Sequence, residues 1–506
     1  MSVQRVLPSM SEWPLFVAAH TQRIELRERA SWPPHMLMAR AGDAVARLAL
    51  AAAPHAQRVW VAAGPGNNGG DGLEAAALLC QSGRQVVVTL LGVAATLPDD
   101  AREALARANA AGVQIVSQNA DAAFIATLGP QDIAIDALLG IGATRSPQGA
   151  IAESIRQLNG LACPVLAVDV PSGLHPGTGQ PLGEDCVIAT HTLSLLTLKL
   201  GLFTGAGRDH AGTVWFDALG VATSTDDPEA LLSASEADRA SVTARRHAQH
   251  KGSFGDVAVV GGAPGMAGAA LLAARAAHAA GAGRVFVEML GRNMPEMNLD
   301  PLRPELMFRH GWTQGTAATL AQTTVVCGCG GGDAVRAPLP RLLSTTARLV
   351  LDADALNALA ADPSLAAQLL ARARRQAGTV LTPHPLEAAR LLGRTTAEVQ
   401  ADRLWAACTL ADRFQCVVVL KGSGSIVAAP GQTPRINATG NASLATAGTG
   451  DVLAGWLGGL WAQSGSISAF SVAVRAVAEH GAAAHPHASG PMRAGDLIEE
   501  MHRRQG

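Results

Sequence analysis

Twice along its length the chain runs an apolar strand into a glycine-rich loop and then into an alanine-rich helix, and each time the alternation continues through several further strands. VWVAAG (Val59 to Gly64) leads through a Gly/Asn loop into LEAAALLCQSG, followed by RQVVVTLLG, DAREALARANAAG and VQIVS, then DIAIDALLG (Asp132 to Gly140) and PVLAVDVPSG (Pro164 to Gly173). Strands joined by crossover helices run parallel, and a parallel sheet needs helices on both faces to cover it. From Val221 to Arg246 the text turns polar and loses its strand signals. A second series then opens with DVAVVGG (Asp256 to Gly262) and a long Ala-rich helix, and continues through RVFVEML, TTVVCGCGGG, RLVLDADALNAL, TVLTPHPLEAARLLG and CVVVLKGSGSIV. The pattern predicts an α/β protein of two doubly wound domains, residues 1–225 and 240–506, with ligands at the carboxyl ends of the strands. The two opening loops share no letter-by-letter pattern, so we do not read a duplication.

Composition narrows the function classes. Hydrophobic residues make up 48% and charged residues 16%, enough apolar content for large cores and too much for disorder. With 9 Phe and no Tyr the chain has few platforms for stacking single-stranded bases. A net charge of −2 supplies no basic field for nucleic acid or anionic membrane, so any bound anion must be held locally. Seven cysteines without a CxxC pair favour a reduced, cytoplasmic setting. No apolar run has the length of a membrane span or of a signal-peptide core.

Four segments carry candidate chemistry. GPGNNGGDG (Gly64 to Gly72) occupies the first strand-to-helix crossing, where glycines admit a phosphate-bearing ligand close to the backbone, while Asn67, Asn68 and Asp71 exceed what a plain turn needs. Asp136, and Asp169 with Ser172, end two further strands at the same edge. Such oxygen donors suit a hard cation, although a strand-end Asp equally often caps the next turn. Lys421 leaves a very apolar strand beside Gly422, Ser423, Gly424 and Ser425, a setting for nucleotide phosphates or for a snorkelling surface lysine. GNASLATAGTGDVLAG (Gly440 to Gly455) delivers Asp451 to a helix start, where Gly448 and Gly450 let amide N–H groups converge on an anion. Asp451 is then a general base beside an anion hole, or a simple N-cap. Lys251, and His384 with Glu387, are weaker candidates. His247 with His250 and His485 with His487 lack the companions of a zinc site.

The strings GPGNNGGDGL, DALLG and DVPSG, preceded by MLMARAG (Met36 to Gly42), resemble the NAD(P)H-hydrate epimerase domain over roughly residues 10–220. The resemblance implies a Rossmann-like domain in which Asn67, Asn68, Gly69, Gly70 and Asp71, with Gly140, Ile141, Gly142, Ala143, Thr144, Arg145 and Ser146, bind the hydrated nucleotide. It also implies potassium (K+) on Asn68, Asp136 and Ser172, and Asp169 as the catalytic, substrate-binding carboxylate. A GTGL-like turn in that pattern is replaced by Gly140 to Ala143 here. HKGSFG, GGAPGMAGAA, DADALNAL, TPHPLEAARLLG, KGSGS and GNASLATAGTGDVLAG together resemble the ADP-dependent NAD(P)H-hydrate dehydratase, of ribokinase-like fold, over about residues 240–500. That likeness implies a hydrate site at Ala270, Gly330, His384 and catalytic Asp451, and a nucleotide site at Lys421, Gly422, Ser423, Gly424, Ser425 and Gly450, with Mg2+ accompanying ADP. The pattern's GPGLG reads Gly328, Cys329, Gly330, Gly331, Gly332 here, and its glycine before Glu387 is Leu386.

By resemblance, then, the joined domains repair hydrated NADH and NADPH (NADHX and NADPHX), epimerising R and S forms and dehydrating S with ADP. A homo-oligomer acting on small molecules, without nucleic acid or membrane, is expected. Two other readings stay open: a vitamin or sugar kinase using the same GTGD loop, and a non-enzymatic interaction module for the N-terminal half. The presence of Asn68, Asp136, Asp169 and Ser172 together favours catalysis over a scaffold.

Overall fold

The computed structural model describes all residues except 1–2, 7–10, 118–120, 223–225, 235–244, 292–297, 466, 485–489 and 506. Much of the expected interdomain segment, and the His485 and His487 pair, lie outside the described residues. Residues 3–6 and Trp13–Ala230 fall in one compact unit and Leu231–Gly506 in a second.

In the first unit an eight-stranded sheet runs in the order Gln4–Arg5, Thr213–Asp217, His191–Leu195, Val165–Val168, Ile133–Ala137, Arg58–Ala63, Gln85–Leu90, Gln114–Val116. The neighbours pair in parallel, except that the first strand is antiparallel to the second. Both faces are covered. Val59, Val61 and Ala63 enter one apolar cluster and Trp60 and Ala62 another, the period-two signature of a sheet buried on both sides. The chain winds outward from Arg58–Ala63 in one direction, then returns to Ile133–Ala137 on its other side, so a topological switch point lies between these two strands. Their ends touch: a Cβ on Gly64 would sit 1.8 Å from the Leu138 carbonyl oxygen, an approach that only glycine permits.

The second unit repeats the logic. Its sheet runs Met307–Phe308, Arg284–Met289, Asp256–Gly261, Thr324–Cys327, Arg348–Leu351, Gly378–Leu381, Val417–Leu420, Ile426–Ala428, Arg435–Asn437. The pairing is parallel up to Val417–Leu420 and antiparallel for the next two contacts. Here the switch point separates Asp256–Gly261 from Thr324–Cys327. Two apolar helices, Ala267–Ala279 and Thr449–Gln463, pack backbone to backbone: a Cβ on Gly455 would lie 2.0 Å from the Ala273 carbonyl oxygen. This contact fixes where the loop before Thr449 emerges. Among the described residues no helix is long and apolar enough to cross a membrane.

Candidate active sites

In the first unit a cavity of about 650 Å³ opens at the strand ends of the switch point. Its wall includes Asn67, Asn68, Asp71, Gly140, Ile141, Gly142, Ala143 and Asp169, together with Glu25 and Lys199. Thr144, Arg145 and Ser146 do not line it. Gly69 and Gly70 do not line it either; Gly69 lies against the Gly64 carbonyl and Gly70 against Met38 and Ala101, so these two glycines serve close packing.

Asp169 is held in an unusual backbone state. Its φ is +69°, and the Val170 N–H donates across it to the Val168 carbonyl at 2.9 Å, closing a three-residue γ-turn. The neighbouring parallel strand ends in a second such turn: Leu196 has φ +66°, and the Thr197 N–H donates to the Leu195 carbonyl at 2.7 Å. Two strained turns side by side cost of order 1–3 kcal/mol each and persist only where the surroundings over-determine them. They aim one carboxylate. Asp169 Oδ1 accepts from the Leu195 N–H at 3.1 Å and from the Lys199 ammonium, which also donates to the Leu195 and Thr197 carbonyls at 2.5 and 3.0 Å. Lys199 is only 1% exposed, so the pair is desolvated. Burial pushes the Asp71 carboxyl well above its ordinary range, and the charges of Asp169 and Glu25 push it further. The Glu25 carboxyl is raised too, by burial first and by Asp169. One cavity thus gathers four carboxyl groups, those of Glu25, Asp71, Asp100 and Asp169, with the Lys199 ammonium and the Arg29 guanidinium.

Asp136 and Ser172 are fully buried at the neighbouring strand ends. Asp136 Oδ1 accepts from the Ser172 hydroxyl at 2.5 Å, and Oδ2 from the Ser172 N–H at 2.8 Å. Ser172 Oγ in turn accepts from the Leu139 N–H at 2.8 Å, next to Gly140, and Gly140 lies against Asn68. Burial lifts the Asp136 carboxyl to about 6, and the buried Asn68 amide nitrogen has no partner. A buried carboxylate without a cationic partner fits a monovalent hard cation, to which Asn68 would turn its amide oxygen, because the unpartnered nitrogen is a donor.

In the second unit the helix Thr449–Gln463 begins after Gly448, whose φ of +89° turns the chain into it, and no side chain caps its first amides. Asp451 therefore does not act as the N-cap. Its carboxyl lies near the Cys329 thiol and is pushed up to about 6 by burial and by the nearby charge of Asp352. Lys421 reaches the same place. Its ammonium donates to Asp352 Oδ1 at 2.7 Å and lies 3.3 Å from where a Cβ on Gly450 would stand. Sequence reading leaves Lys421 between a nucleotide-site and a surface lysine; the structure puts it over the first turn of this helix. Ser425 Oγ folds back to accept from the Gly422 N–H at 3.3 Å and to donate to the Gly422 carbonyl at 3.1 Å, tightening the loop after Lys421. Gly422 and Ser423 are exposed.

His384 caps the helix Pro385–Leu392: its Nδ1 accepts from the Leu386 and Glu387 N–H groups, and Glu387 accepts from the His384 N–H. Burial and the Lys421 charge lower the imidazole, while burial lifts Glu387 to about 7. Ala270 is fully buried against Gly262, and Gly330, at φ +58°, packs against Met266 and Ala269. Lys251 is exposed in a short 3-10 turn, away from these groups.

Residues 34–201 match the family described as YjeF-related protein N-terminus, and residues 257–503 match the family described as NAD(P)H-hydrate dehydratase. The bifunctional NAD(P)H-hydrate repair enzyme Nnr of Escherichia coli K12 is 37% identical over 456 residues, covering 88% of this chain and 84% of that protein. The chain belongs to this family of bifunctional repair enzymes. The Coxiella burnetii enzyme of the same name is 36% identical over 439 residues, 85% of this chain and 86% of its own length. Among solved structures, the Bacillus subtilis ADP/ATP-dependent NAD(P)H-hydrate dehydratase crystallised with ATP and Mg2+ is 29% identical, covers 53% of this chain and 96% of its own, and superposes with a TM-score of 0.44.

Three residues escape the sequence reading. Lys199 is hidden in LLTLKLGLF, where its charge is the one available signal. Cys329 lies near Asp451, and its one signal in the sequence is that it departs from the GPGLG pattern. His480 is half-buried beneath the helix start, where its Nε2 lies 2.9 Å from the Thr449 carbonyl; desolvation holds it down at about 4, so it remains neutral and donates that bond.

Proposed function

We propose that the chain restores NADH and NADPH from their hydrates in two coupled activities. The first unit interconverts R and S epimers at the hydroxyl-bearing ring carbon. The second unit transfers a phosphoryl group from ADP to the hydroxyl of the S form, giving AMP. Phosphate then departs from the ring as an adjacent proton is lost, and the dihydronicotinamide is regenerated. Hydroxide is a poor leaving group and phosphate a good one, which is the reason for using the nucleotide. The observation that carries the reading is the uncapped helix start: the Gly448 to Gly450 amides are left for an anion, with Lys421 above them and Asp451 alongside.

In this reading Asp451 removes the hydroxyl proton of the hydrate, while Lys421 and the amides stabilise the transferring phosphoryl group. Ser423 to Ser425 bound the nucleotide pocket, and Mg2+ arrives on the ADP phosphates as part of the substrate. His480 acts as a positioning residue by fixing the Thr449 peptide. Because the Asp451 carboxyl lies at about 6, it must be ionised to act as a base. The kcat/KM for ADP-driven dehydration of the S form is therefore expected to fall as pH drops through 6 and to flatten above it. A profile flat to pH 5 would remove Asp451 from the proton transfer.

In the first unit the hydroxyl carbon also bears the ring nitrogen. Proton removal from the hydroxyl by Asp169 opens the C–N bond to an aldehyde, and reclosure on the other face inverts the centre. Lys199 compensates the Asp169 charge, and Asp71, whose carboxyl is pushed well upward by burial, faces the same cavity as the source of the proton that the released nitrogen needs. Asn68, Asp136 and Ser172 would hold potassium, which when bound balances the buried Asp136 charge beside the substrate. Exchanging potassium for a bulky organic cation is expected to slow epimerisation severalfold and to leave dehydration of pure S hydrate unchanged; equal rates in both salts would sink the cation assignment.

The reading as a whole is tested by supplying both epimers, MgADP and potassium, and following reduced-nicotinamide absorbance together with AMP and phosphate. Stoichiometric release of phosphate supports repair. A stable phosphorylated product would mean a kinase instead.

A further inference from the structure

We propose that Cys329, Asp352 and Asp451 form a binding site for a thiophilic divalent cation of the zinc or cadmium class. Their three donor atoms lie within 4.8 Å of one another. They come from separate elements: Cys329 follows the strand Thr324–Cys327, Asp352 follows Arg348–Leu351, and Asp451 stands in the first turn of Thr449–Gln463. The Cys329 sulfur is 3.8 Å from Asp352 Oδ2. A tetrahedral ion with a metal–sulfur bond of about 2.3 Å and a metal–oxygen bond of about 2.0–2.2 Å sets those two atoms about 3.5 Å apart, so little movement is needed.

The cation would not have to displace the resident lysine from the same oxygen. Lys421 and the Thr382 hydroxyl both use Asp352 Oδ1, leaving Oδ2 turned to the thiol. Charge favours entry. The carboxyl groups of Asp352, Asp354 and Asp451 act on one another here, with Lys421 among them as a countercharge. Cys329 and Asp352 are almost fully buried, whereas Asp451 is half-buried, so the fourth tetrahedral position faces the open side and would take water or a phosphate oxygen. Binding releases the thiol proton to solvent and puts a thiolate in the set, which discriminates against the hard Mg2+. In the motif pattern a proline stands where this chain has Cys329.

Coordination would occupy Asp451, so the cation would switch off ADP-driven dehydration and spare epimerisation. That consequence rests on Asp451 being the base; the binding does not. Cadmium titrated into the nucleotide-free full chain is expected to raise a thiolate-to-metal ultraviolet band with one equivalent that depends on Cys329. The band should be absent in Cys329→Ala and Cys329→Ser, the serine form guarding against a packing defect, and should need at least tenfold more cadmium in Asp352→Asn, with excess Mg2+ having no effect. Six other free cysteines are present, so the difference spectrum between wild type and the Cys329 variants is the measurement. An identical titration in wild type and both Cys329 variants would overturn the site. If the Cys329-dependent band forms and dehydration of S hydrate nevertheless continues undiminished, the site stands and the assignment of Asp451 as base falls.

Discussion

Asp451→Asn is expected to lower kcat for ADP-driven dehydration roughly 10²- to 10⁴-fold, the usual worth of a positioned general base, while R and S hydrates still equilibrate. Asparagine keeps the shape and the polarity of the side chain but cannot accept the proton. The helix should be undisturbed, because no side-chain bond from Asp451 caps its amides. Single-turnover measurement of AMP formation on pure S hydrate isolates the step. A loss smaller than about threefold would show that another group takes the proton.

The second large effect is expected at the buried pair of the first unit. Asp169→Asn should leave S hydrate consumed at the normal rate, with the R form left behind and disappearing only as fast as it epimerises unaided. Lys199→Met should do the same to epimerisation and also destabilise the fold. Removing one partner of a buried ion pair typically costs about 3–5 kcal/mol, because the remaining charge is left uncompensated. Chiral separation of the hydrates over time, with thermal unfolding in parallel, distinguishes the two variants. Complete conversion of both epimers by Asp169→Asn, faster than spontaneous exchange, would remove Asp169 from catalysis.

Much of this was legible in the sequence because parallel α/β sheets place ligands where strands end. The alternation of strand and helix locates Asp136, Asp169, Lys421 and Asp451 at such edges. What the letters could not carry is direction and pairing. GPGNNGGDG reads as a ligand loop throughout, yet Gly69 and Gly70 are spent on packing, which depends on Gly64, Met38 and Ala101 arriving from elsewhere. The positive φ of Asp169 follows from two adjacent γ-turns, and an aspartate looks the same in text whatever its backbone angle. Lys199 meets Asp169 only once His191–Leu195 aligns in parallel beside Val165–Val168 and the chain turns after Leu195, and Cys329 meets Asp451 only when a distant helix docks on the sheet. His384 shows the converse: its place between two prolines marks a rigid position, and part of that rigidity is a helix cap.

The ammonium of Lys421 is shared between the Asp352 carboxylate and the space over Gly450. An anion settling on the Gly448 to Gly450 amides draws on the same charge that neutralises Asp352, so occupancy at one position alters the electrostatic field at the other. Thermodynamic linkage makes such an effect reciprocal. In the proposed reading the affinities for nucleotide and for hydrate are therefore not separate properties, and whichever factor the first to arrive imposes on the second is returned in equal measure.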